Sequence, residues 1–481
     1  MRNEEFRAHG YAVIDWIADY MRRVDELPVA PSTQPGDVRR ALPLSPPDEP
    51  ESISQCLRDM NSIIVPALMH WQSPRFFGYF PANVDPAALL GDFLSSGLGV
   101  QGMLWSTSPA CTELETHMMD WLAQLLDLPM CFRSPEGGGT AGGGVIQDTA
   151  SSATLCAAVA ARERARARAH DEVGNASSDP LSRLVAYSST QAHSSIEKAL
   201  RIIGIAPDRL RTIGVDAQWA MRPDELRVAI ERDRRSALIP FFCVAAVGTT
   251  STLAVDPVSE IAELCGAHGI WLHVDGAMAG VAALCPEFRE MHRSLDRADS
   301  YCVNPHKWMG AGFDCDALYV ADRSALVSAL SILPEYLRNA ATESGKVIDY
   351  RDWQIPLGRR FRALKLWFLI RATGARALRE MIRTHVELAR TLADRLRNDV
   401  RFEVIEPQNL ALVCFRLKSG ESATESLVTR INASGEAFMT HTRLELPGHA
   451  TAQYIARVSI GQRTTTAVHV DALWSLIDAL A

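Results

Sequence analysis

The sequence has no excess of positive charge and no long apolar run. Its formal net charge is −8, so it lacks the basic surplus that neutralises nucleic-acid phosphates, and we expect no nucleic-acid partner. No stretch approaches the ~20 apolar residues that a membrane helix needs. Residues 1–23 are acidic and amphipathic and lack the apolar core of a signal peptide. We therefore expect a cytoplasmic protein without a membrane partner.

The sequence also lacks paired cysteines. None of its ten cysteines forms a CxxC pair, so a zinc site or a disulfide framework has little support, and we expect no bound metal. Several, such as Cys243 and Cys302, lie in apolar runs, which is typical of small buried residues. Unpaired cysteines in this number indicate a reducing compartment.

The pattern along the chain divides it into three parts. Residues 1–85 have helical spacing around a proline-rich connector and predict a helical segment that takes part in dimerisation. Between 86 and 375, short apolar runs alternate with helical stretches, which predicts an α/β domain with a mostly parallel central sheet flanked by helices. From 376 to 481, a long helix precedes several strands and a last helix, which predicts a small α+β domain.

A glycine-rich stretch at 137–144 leads into a helical pattern that begins near Thr149, Ala150 and Ser151. Backbone N–H groups at a helix N-terminus, together with these hydroxyls, form an anion site. The alternative is a flexible turn with an ordinary Ser/Thr cap. No Gly-Lys-Ser/Thr sequence follows, and the strand-then-GxGxxG context is absent, so neither a Walker loop nor a dinucleotide site is indicated.

Asp275 and Lys307 form the most informative pair. Asp275 ends the apolar run 270–275, and Lys307 follows in the run 304–308. A lysine amine can form a Schiff base with a cofactor aldehyde, and an aspartate can keep a pyridine nitrogen protonated. Taken singly, they could be a strand-end cap and a surface lysine. The small residues 276–280 favour a cofactor site, because they let a flat ring approach the backbone.

His193 follows the predicted strand 184–187 and precedes a helix, at the strand end where sites of parallel sheets lie. An imidazole there could stack on a flat cofactor ring. Taken alone, a capping or surface histidine is the simpler interpretation. The order of phosphate loop, histidine, aspartate and lysine, each at a strand end, nevertheless predicts a pyridoxal phosphate site.

Over nearly its whole length the sequence resembles the group II pyridoxal-phosphate-dependent amino-acid decarboxylases, and specifically the aromatic-L-amino-acid decarboxylases. The matching stretches are Ser108–Glu115, Gly142–Gln147, Gln191–Ser195, His273–Asp275, Cys285–Arg289, Asn304–Trp308 and Gln354–Arg362. The resemblance implies a fold-type-I enzyme that is a homodimer with shared active sites. It also implies decarboxylation of an aromatic L-amino acid to an arylalkylamine and CO₂.

The resemblance further implies the roles of individual residues. Lys307 would form the Schiff base, Asp275 would pair with the ring nitrogen, and His193 would stack on the ring and help place the substrate. Tyr336 matches the tyrosine of a mobile catalytic loop and would deliver a proton to Cα; without the resemblance it is an exposed loop aromatic. The remaining residues implied around the cofactor are Thr149, Ala150, Ser151, Thr250, Ala277, Asn304 and His306.

The resemblance also implies a substrate pocket. Gly358 matches the glycine that is common in aromatic decarboxylases, where histidine decarboxylases usually carry serine. Ala82 and Met103 depart from the family, because the animal enzymes have threonine and phenylalanine there. The implied pocket residues are Tyr79, Phe80, Pro81, Ala82, Gln101, Met103 and Gly358. Dopa, tyrosine, tryptophan and phenylalanine all stay open as substrates.

Four alternatives remain. An aldehyde synthase would couple decarboxylation to oxidative deamination, but such relatives tend to have lost the loop tyrosine or the stacking histidine, and Tyr336 and His193 are both present. A histidine decarboxylase, or another amino-acid decarboxylase of the family, is a second possibility. An aminotransferase would release no CO₂. A catalytically inactive binding protein is disfavoured because Lys307, Asp275 and His193 are intact.

Overall fold

The computed structural model describes residues 1–138, 141–173, 180–332 and 339–481. The chain forms two compact units. The first unit contains Met1–Pro81, Glu387–Ile405 and Ala411–Ala481. The second contains Ala82–Val386 and Glu406–Leu410.

The helices and strands alternate through the second unit and cluster in the C-terminal part of the first. The helices are α1 (Asn3–Arg23), α2 (Asp37–Ala41), α3 (Ile53–Asp59), α4 (Pro86–Leu98), α5 (Pro109–Leu125), α6 (Ala150–Val173), α7 (Ser195–Ile202), α8 (Pro223–Arg235), α9 (Val258–His268), α10 (Pro305–Trp308), α11 (Arg323–Leu330), α12 (Ala340–Glu343), α13 (Ala363–Asn398), α14 (Glu421–Ser434) and α15 (Ala467–Leu480). The strands are β1 (Phe76–Phe77), β2 (Gly143–Gln147), β3 (Leu184–Ser189), β4 (Leu210–Ile213), β5 (Ile239–Ala246), β6 (Trp271–Asp275), β7 (Ser300–Val303), β8 (Asp316–Val320), β9 (Phe402–Val404), β10 (Leu412–Leu417), β11 (Phe438–Leu444) and β12 (Gln453–Ser459).

The second unit is built on a seven-stranded sheet with the order β2-β8-β7-β6-β5-β3-β4. Every strand except β8 runs in the same direction, because β8 pairs antiparallel with both β2 and β7 while the remaining pairs are parallel. The predicted mostly parallel α/β sheet is thereby confirmed. Carboxyl ends of parallel strands meet at one edge, which is where sites form in such sheets.

The core of this unit lies between the sheet and the helices α6 and α7. Ala153, Cys156 and Ala157 on α6 pack with Cys302 of β7 and Leu318 of β8 in one buried cluster. Strands covered by helices are continuously apolar rather than alternating, and the four residues Ala317 to Val320 are all buried. This packing fixes the start of α6 beside the carboxyl edge of the sheet.

The first unit is built on a five-stranded sheet with the order β1-β11-β12-β10-β9. Its strands pair antiparallel except for β1, which pairs parallel with β11 through Phe76 and Phe438. Residues 1–81 therefore share this compact unit with the C-terminal strands. The boundaries 85/86 and 375/376 stay predictions; the second falls inside α13, next to Gly374, whose φ of 75° interrupts the helix.

The ten cysteines are all free thiols, and eight of them are buried, Cys243 and Cys302 included. Among the described residues, no helix combines the length and apolar character that crossing a bilayer requires. In the same ranges, no cluster of three or more His, Cys, Asp or Glu side chains is arranged to hold a metal ion.

Leu392 tests the core of the first unit. Its side chain on α13 is fully buried in one cluster with Leu396 and Phe415. Leu392→Ala should lower the free energy of unfolding by roughly 2–5 kcal/mol, because the removed atoms leave a cavity. Thermal unfolding should show a lower Tm, whereas Leu44→Ala, at an exposed leucine, should not. An unchanged Tm for Leu392→Ala would contradict this packing.

Candidate active site

The predicted cofactor residues meet at the carboxyl edge of the seven-stranded sheet. Asp275 ends β6, and Asn304 follows β7 directly. His193 follows β3, and Thr149 follows β2. Because these strands run parallel, their ends bring residues distant in sequence to one edge. The antiparallel β8 contributes its first residues there instead of its last.

Lys307 lies on the short helix α10, and its amine is desolvated. Burial lowers the pKa of Lys307, while the negative charge of Asp275 and the neighbouring Cys302 and Asp316 oppose that shift. The Lys307 backbone carbonyl accepts a hydrogen bond from Nδ2 of Asn83 at 2.9 Å, which anchors this segment. A lysine with a lowered pKa is more often uncharged and therefore more nucleophilic.

Asp275 is held in place by its own turn. Its Oδ1 accepts the N–H of Ala277 at 2.9 Å, and the Cys302 thiol lies 3.8 Å from the same oxygen. A Cβ on Gly276 would lie 2.7 Å from the hydroxyl of Tyr301. The small residue at 276 is therefore required by the packing of Tyr301. The sequence interpretation of this run as room for a flat ring missed that reason.

His193 lies within electrostatic range of both Lys307 and Asp275. Partial burial lowers the pKa of His193, the charge of Asp275 raises it, and the charge of Lys307 lowers it. Its Nδ1 accepts the backbone N–H of Ser195 at 3.1 Å. The neutral imidazole consequently carries its proton on Nε2, which leaves Nε2–H as a donor. Lys307, Asp275 and His193 thus form one cluster.

The phosphate-binding prediction centres on the start of α6. The Thr149 carbonyl accepts the N–H groups of Ser152 and Ala153 at 3.0 and 3.1 Å, which begins the helix. The first N–H groups of a helix, here those of Ala150 and Ser151, have no partner within the helix and attract anions. The glycines that precede them lie at the other end of β2. A Cβ on Gly144 would lie 2.7 Å from the Tyr319 ring.

Asn304 and His306 lie where the cofactor phosphate is predicted to bind, and the Asn304 carboxamide there is buried. The Cys315 N–H donates to Nδ1 of His306 at 3.0 Å, and burial, reinforced by the charge of Lys307, lowers the pKa of His306 to about 4. The neutral ring therefore has its proton on Nε2. One end of the buried Asn304 carboxamide lies 3.3 Å from that Nε2, and its other end has no hydrogen-bond partner within the described residues.

The tautomer of His306 determines which way the Asn304 amide points. Because Nε2 of His306 donates, the atom beside it must be the amide oxygen. The NH₂ group of Asn304 is then the buried end without a partner. A buried unpaired donor beside a helix N-terminus fits the phosphate of pyridoxal phosphate, and the cluster of Lys307 and Asp275 fits its aldehyde and its pyridine nitrogen.

A buried ion pair attaches the predicted substrate pocket to the sheet. The Arg359 guanidinium contacts the Glu115 carboxylate, and both side chains are almost fully buried. Glu115 Oε1 accepts the N–H of Ile146 on β2 at 2.8 Å. Gln101 Oε1 accepts the N–H of Arg359 at 2.6 Å, and a Cβ on Gly358 would lie 3.2 Å from Gln101 Nε2. Gln101 and Gly358 are therefore neighbours.

The other predicted residues fall in three groups. Ala82 directly precedes Asn83, whose side-chain amide donates to the Lys307 backbone. The backbone carbonyl of Met103 accepts the N–H of Arg351 at 3.1 Å. Thr250 follows β5 and is half-buried. Tyr79, Phe80 and Pro81 belong to the first unit, where Phe80 lies under the Arg457 guanidinium at 5.3 Å; their place in the pocket stays a prediction. Tyr336 lies outside the described residues.

Sequence reasoning missed four residues at this edge. Asn83 carries no sequence signal, because a single asparagine in a loop is unremarkable in any chain. Glu115 and Arg359 lie in stretches that matched the family, but neither received a role. Asp316 had a signal that was overlooked, since it is a charged residue opening an otherwise apolar strand.

Comparison with known proteins identifies the family of this chain. The Pyridoxal-dependent decarboxylase conserved domain matches residues 35–418. Phenylacetaldehyde synthase of Arabidopsis thaliana is 42% identical, over 99% of this chain and 96% of that protein. Aromatic-L-amino-acid decarboxylase of Mus musculus is 43% identical, over 100% of this chain and 98% of that protein.

A solved structure gives the same result for the fold. The crystal structure of Oryza sativa TDC with PLP and tryptamine superposes with a TM-score of 0.94 at 38% identity, covering 100% of this chain and 98% of that one. The match runs over both compact units. The chain therefore belongs to the pyridoxal-dependent decarboxylase family, with pyridoxal phosphate as its cofactor.

Proposed function

We propose that this enzyme removes the carboxylate of an aromatic L-amino acid as CO₂ and releases the corresponding arylalkylamine. The observation that carries the proposal is the cluster of Lys307, Asp275 and His193, in which the pKa of Lys307 is lowered. The names of the relatives, among them an aromatic-L-amino-acid decarboxylase and tyrosine and tryptophan decarboxylases, support the aromatic substrate class. Dopa, tyrosine, tryptophan and phenylalanine are the candidates.

When bound, pyridoxal phosphate would supply a reactive aldehyde and a protonated ring that withdraws electrons from the bond that breaks at Cα. Lys307 would hold the aldehyde end. Asp275 would hold the ring nitrogen in its protonated form, since its carboxylate accepts the N–H. The first N–H groups of α6, the Ser151 hydroxyl and the Asn304 amide would hold the phosphate.

The protein's own groups account for orientation. Nε2–H of neutral His193 can donate a hydrogen bond to the substrate carboxylate without adding a charge that would stabilise it against leaving. Gln101 and Gly358, which Arg359 ties to β2, would form one wall of the side-chain pocket. A rigid wall helps position the substrate, because small misplacements of reacting groups lower rates sharply.

The fate of the proton at Cα separates the two activities found among the relatives. Delivery of a proton to Cα yields the amine, and we propose Tyr336 as the donor, directly or with His193. The specific observation favouring the alternative is the 42% identity to a phenylacetaldehyde synthase. That activity would consume O₂ and release an aldehyde, ammonia and hydrogen peroxide with the CO₂. Presence of both Tyr336 and His193 favours the amine.

We also propose that the enzyme is a homodimer with shared active sites. Helix α1 contains no buried residue, and three of its apolar side chains are largely exposed in the single chain: Phe6 (70%), Tyr11 (63%) and Ile14 (44%). Contiguous exposed apolar residues on a helix are typical of a protein–protein interface. A second copy of this chain is the proposed partner. The cytoplasmic localisation stays a prediction.

The dimer predicts a molar mass in solution of about twice the 52.8 kDa of one chain. Light scattering on the active enzyme measures this mass directly. Phe6→Glu combined with Ile14→Glu should shift the mass toward one chain, because two buried charges would oppose the contact. Arg22→Glu, at an exposed position on the polar part of α1, is the control. An active enzyme with the mass of one chain would refute the dimer.

Lys307→Ala tests the cofactor attachment. The variant should fold, lose the yellow colour of the Schiff base and lose decarboxylation, because no other group in the described cluster is an amine. Borohydride treatment followed by peptide mass spectrometry should find the reduced cofactor on Lys307 in the wild type only. Lys198→Ala, at an exposed lysine on α7, should keep colour and activity. Wild-type turnover by Lys307→Ala would end the assignment.

Tyr336→Phe tests the proton donor. Loss of the phenol should slow amine formation by roughly a hundredfold or more, which is the usual contribution of general acid catalysis. It should also raise the yield of aldehyde and hydrogen peroxide, since the reaction would lack its normal proton source. Both products are measured by chromatography and a peroxidase-coupled assay, with Tyr454→Phe as the control. Unchanged amine output would remove Tyr336 from the mechanism.

A further inference from the structure

Asp316 is a buried carboxyl that the proposed reaction does not use. It is the first residue of β8, it is fully buried, and neither of its carboxyl oxygens has a hydrogen-bond partner within the described residues. An ionised carboxylate in that situation is very unfavourable, because burial removes its hydration and no hydrogen bond among the described residues compensates. Either the carboxyl is neutral or a bound group supplies its partner.

The strand register places Asp316 beside the phosphate end of the site. On one side it pairs with Gln147, the last residue of β2 before the start of α6. On the other side, β7 and β8 pair up to Val303 and Ala317, so Asn304 is the next residue opposite Asp316. Directly opposite residues project from the same face of a sheet. Asp316 therefore shares a face with Asn304, whose unpaired amide we assigned to the phosphate.

The charges around Asp316 favour its neutral form. Burial raises the pKa of the Asp316 carboxyl well above its usual range. The negative charges of Asp275 and Asp148 raise it further, whereas the positive charge of Lys307 lowers it. Both charged and neutral titratable side chains surround Asp316. The titratable neighbours from the surrounding elements are Asp148 before α6, Cys156 on α6, Asp275 on β6, Tyr301 and Cys302 on β7, Lys307 on α10 and Cys315 beside it.

We propose that Asp316 keeps its proton and forms a neutral wall at the phosphate end of the cofactor site, and that loss of this proton weakens cofactor binding. The inference rests on the proposed function, because the anion it concerns is the cofactor phosphate. A protonated carboxyl can donate a hydrogen bond to an anion. A carboxylate at the same place repels the anion strongly in a poorly solvated site. Asp316 is thus a positioning residue whose protonation couples cofactor retention to pH.

The sign of the pH dependence follows from linkage. A carboxyl whose pKa is higher in the folded than in the unfolded protein lowers stability as pH rises above its unfolded pKa of about 3.9. The cost stops growing only above the folded pKa. Asp316→Asn removes this cost, so the variant without cofactor should have a higher Tm than the wild type in neutral and alkaline buffers. The two proteins should converge in acid.

Cofactor affinity gives the decisive measurement. The dissociation constant of pyridoxal phosphate is measured on the full-length protein across a pH series, for the wild type and for Asp316→Asn. The ratio of the wild-type constant to the variant constant should rise with pH, by up to about tenfold per pH unit above the carboxyl pKa. Pyridoxal, which has no phosphate, should show no such rise. Inorganic phosphate should protect the variant from thermal unfolding at high pH more than the wild type.

The controls separate charge from fold. Asp322→Asn neutralises an exposed carboxylate just after β8 that caps α11, and asparagine is an equally good cap. It should bind pyridoxal phosphate like the wild type at every pH. If Asp316→Asn does not fold, Asp316→Ser supplies a smaller neutral hydroxyl, and the same ratio is expected to rise.

Three outcomes would overturn the inference. One is a neutral variant whose affinity falls with pH as steeply as that of the wild type. Another is weaker binding by the neutral variant at every pH, which would mean that the ionised carboxyl is needed. The third is an equal rise of this ratio with pyridoxal, which would mean that Asp316 acts on the pyridine ring and not on the phosphate. Failure of the proposed function would show itself separately, as an absence of borohydride labelling at Lys307 in the wild type.

Discussion

The desolvated amine of Lys307, surrounded by carboxyl groups at the edge of a parallel sheet, is the constraint on which the site depends. Burial lowers the basicity of the amine, and Asp275 limits how far that shift can go. Lys307 and Asp275 are 32 residues apart in sequence, so no single local segment could bring the amine and the carboxylate together. The sheet edge does so, because Asp275 ends β6 and Lys307 follows β7. Asn83, through its hydrogen bond to the Lys307 backbone, keeps the short helix α10 against that edge.

The buried ion pair of Glu115 and Arg359 connects the strand at the cofactor site to the predicted substrate pocket. Glu115 and Arg359 bind one another and both bind the backbone of Ile146. Buried pairs often contribute little net stability, but removal of one partner leaves an uncompensated charge. Here the pair also fixes Gln101 against Arg359. The strand that leads to the phosphate end and the loop that carries Gly358 are therefore held by the same side chains.

Much of the second unit could be predicted from apolar runs, because the buried strands of a parallel sheet are continuously apolar in sequence. The apolar run at 270–275 is the strand Trp271–Asp275, and the strand predicted at 184–187 is Leu184–Ser189. Pairing was not predictable to the same degree. The parallel contact of Phe76 with Phe438 joins residues far apart in sequence, and nothing local encodes it.

The glycines show why the site was only partly predictable. The stretch at 137–144 suggested a phosphate loop, yet Gly143 and Gly144 lie in β2, where the Tyr319 ring leaves no room beside Gly144 for a side chain. The backbone N–H groups proposed to bind the anion begin six positions after Gly144, at Ala150 and Ser151. Gly276 likewise makes room for Tyr301. Sequence showed where small residues are needed, whereas the neighbour that needs them is set by tertiary packing.

The distribution of thiols has a practical consequence for labelling. Eight of the ten cysteines are buried, Cys131 is half-buried, and Cys56 on α3 is exposed. Burial raises the pKa of Cys156 and Cys315 to about 12 in each case, so these thiols stay unreactive in neutral buffer. In the single chain, Cys56 is therefore the thiol most accessible to a maleimide fluorophore. The natural sequence thus already offers one handle for single-molecule spectroscopy, in the compact unit that does not contain Lys307.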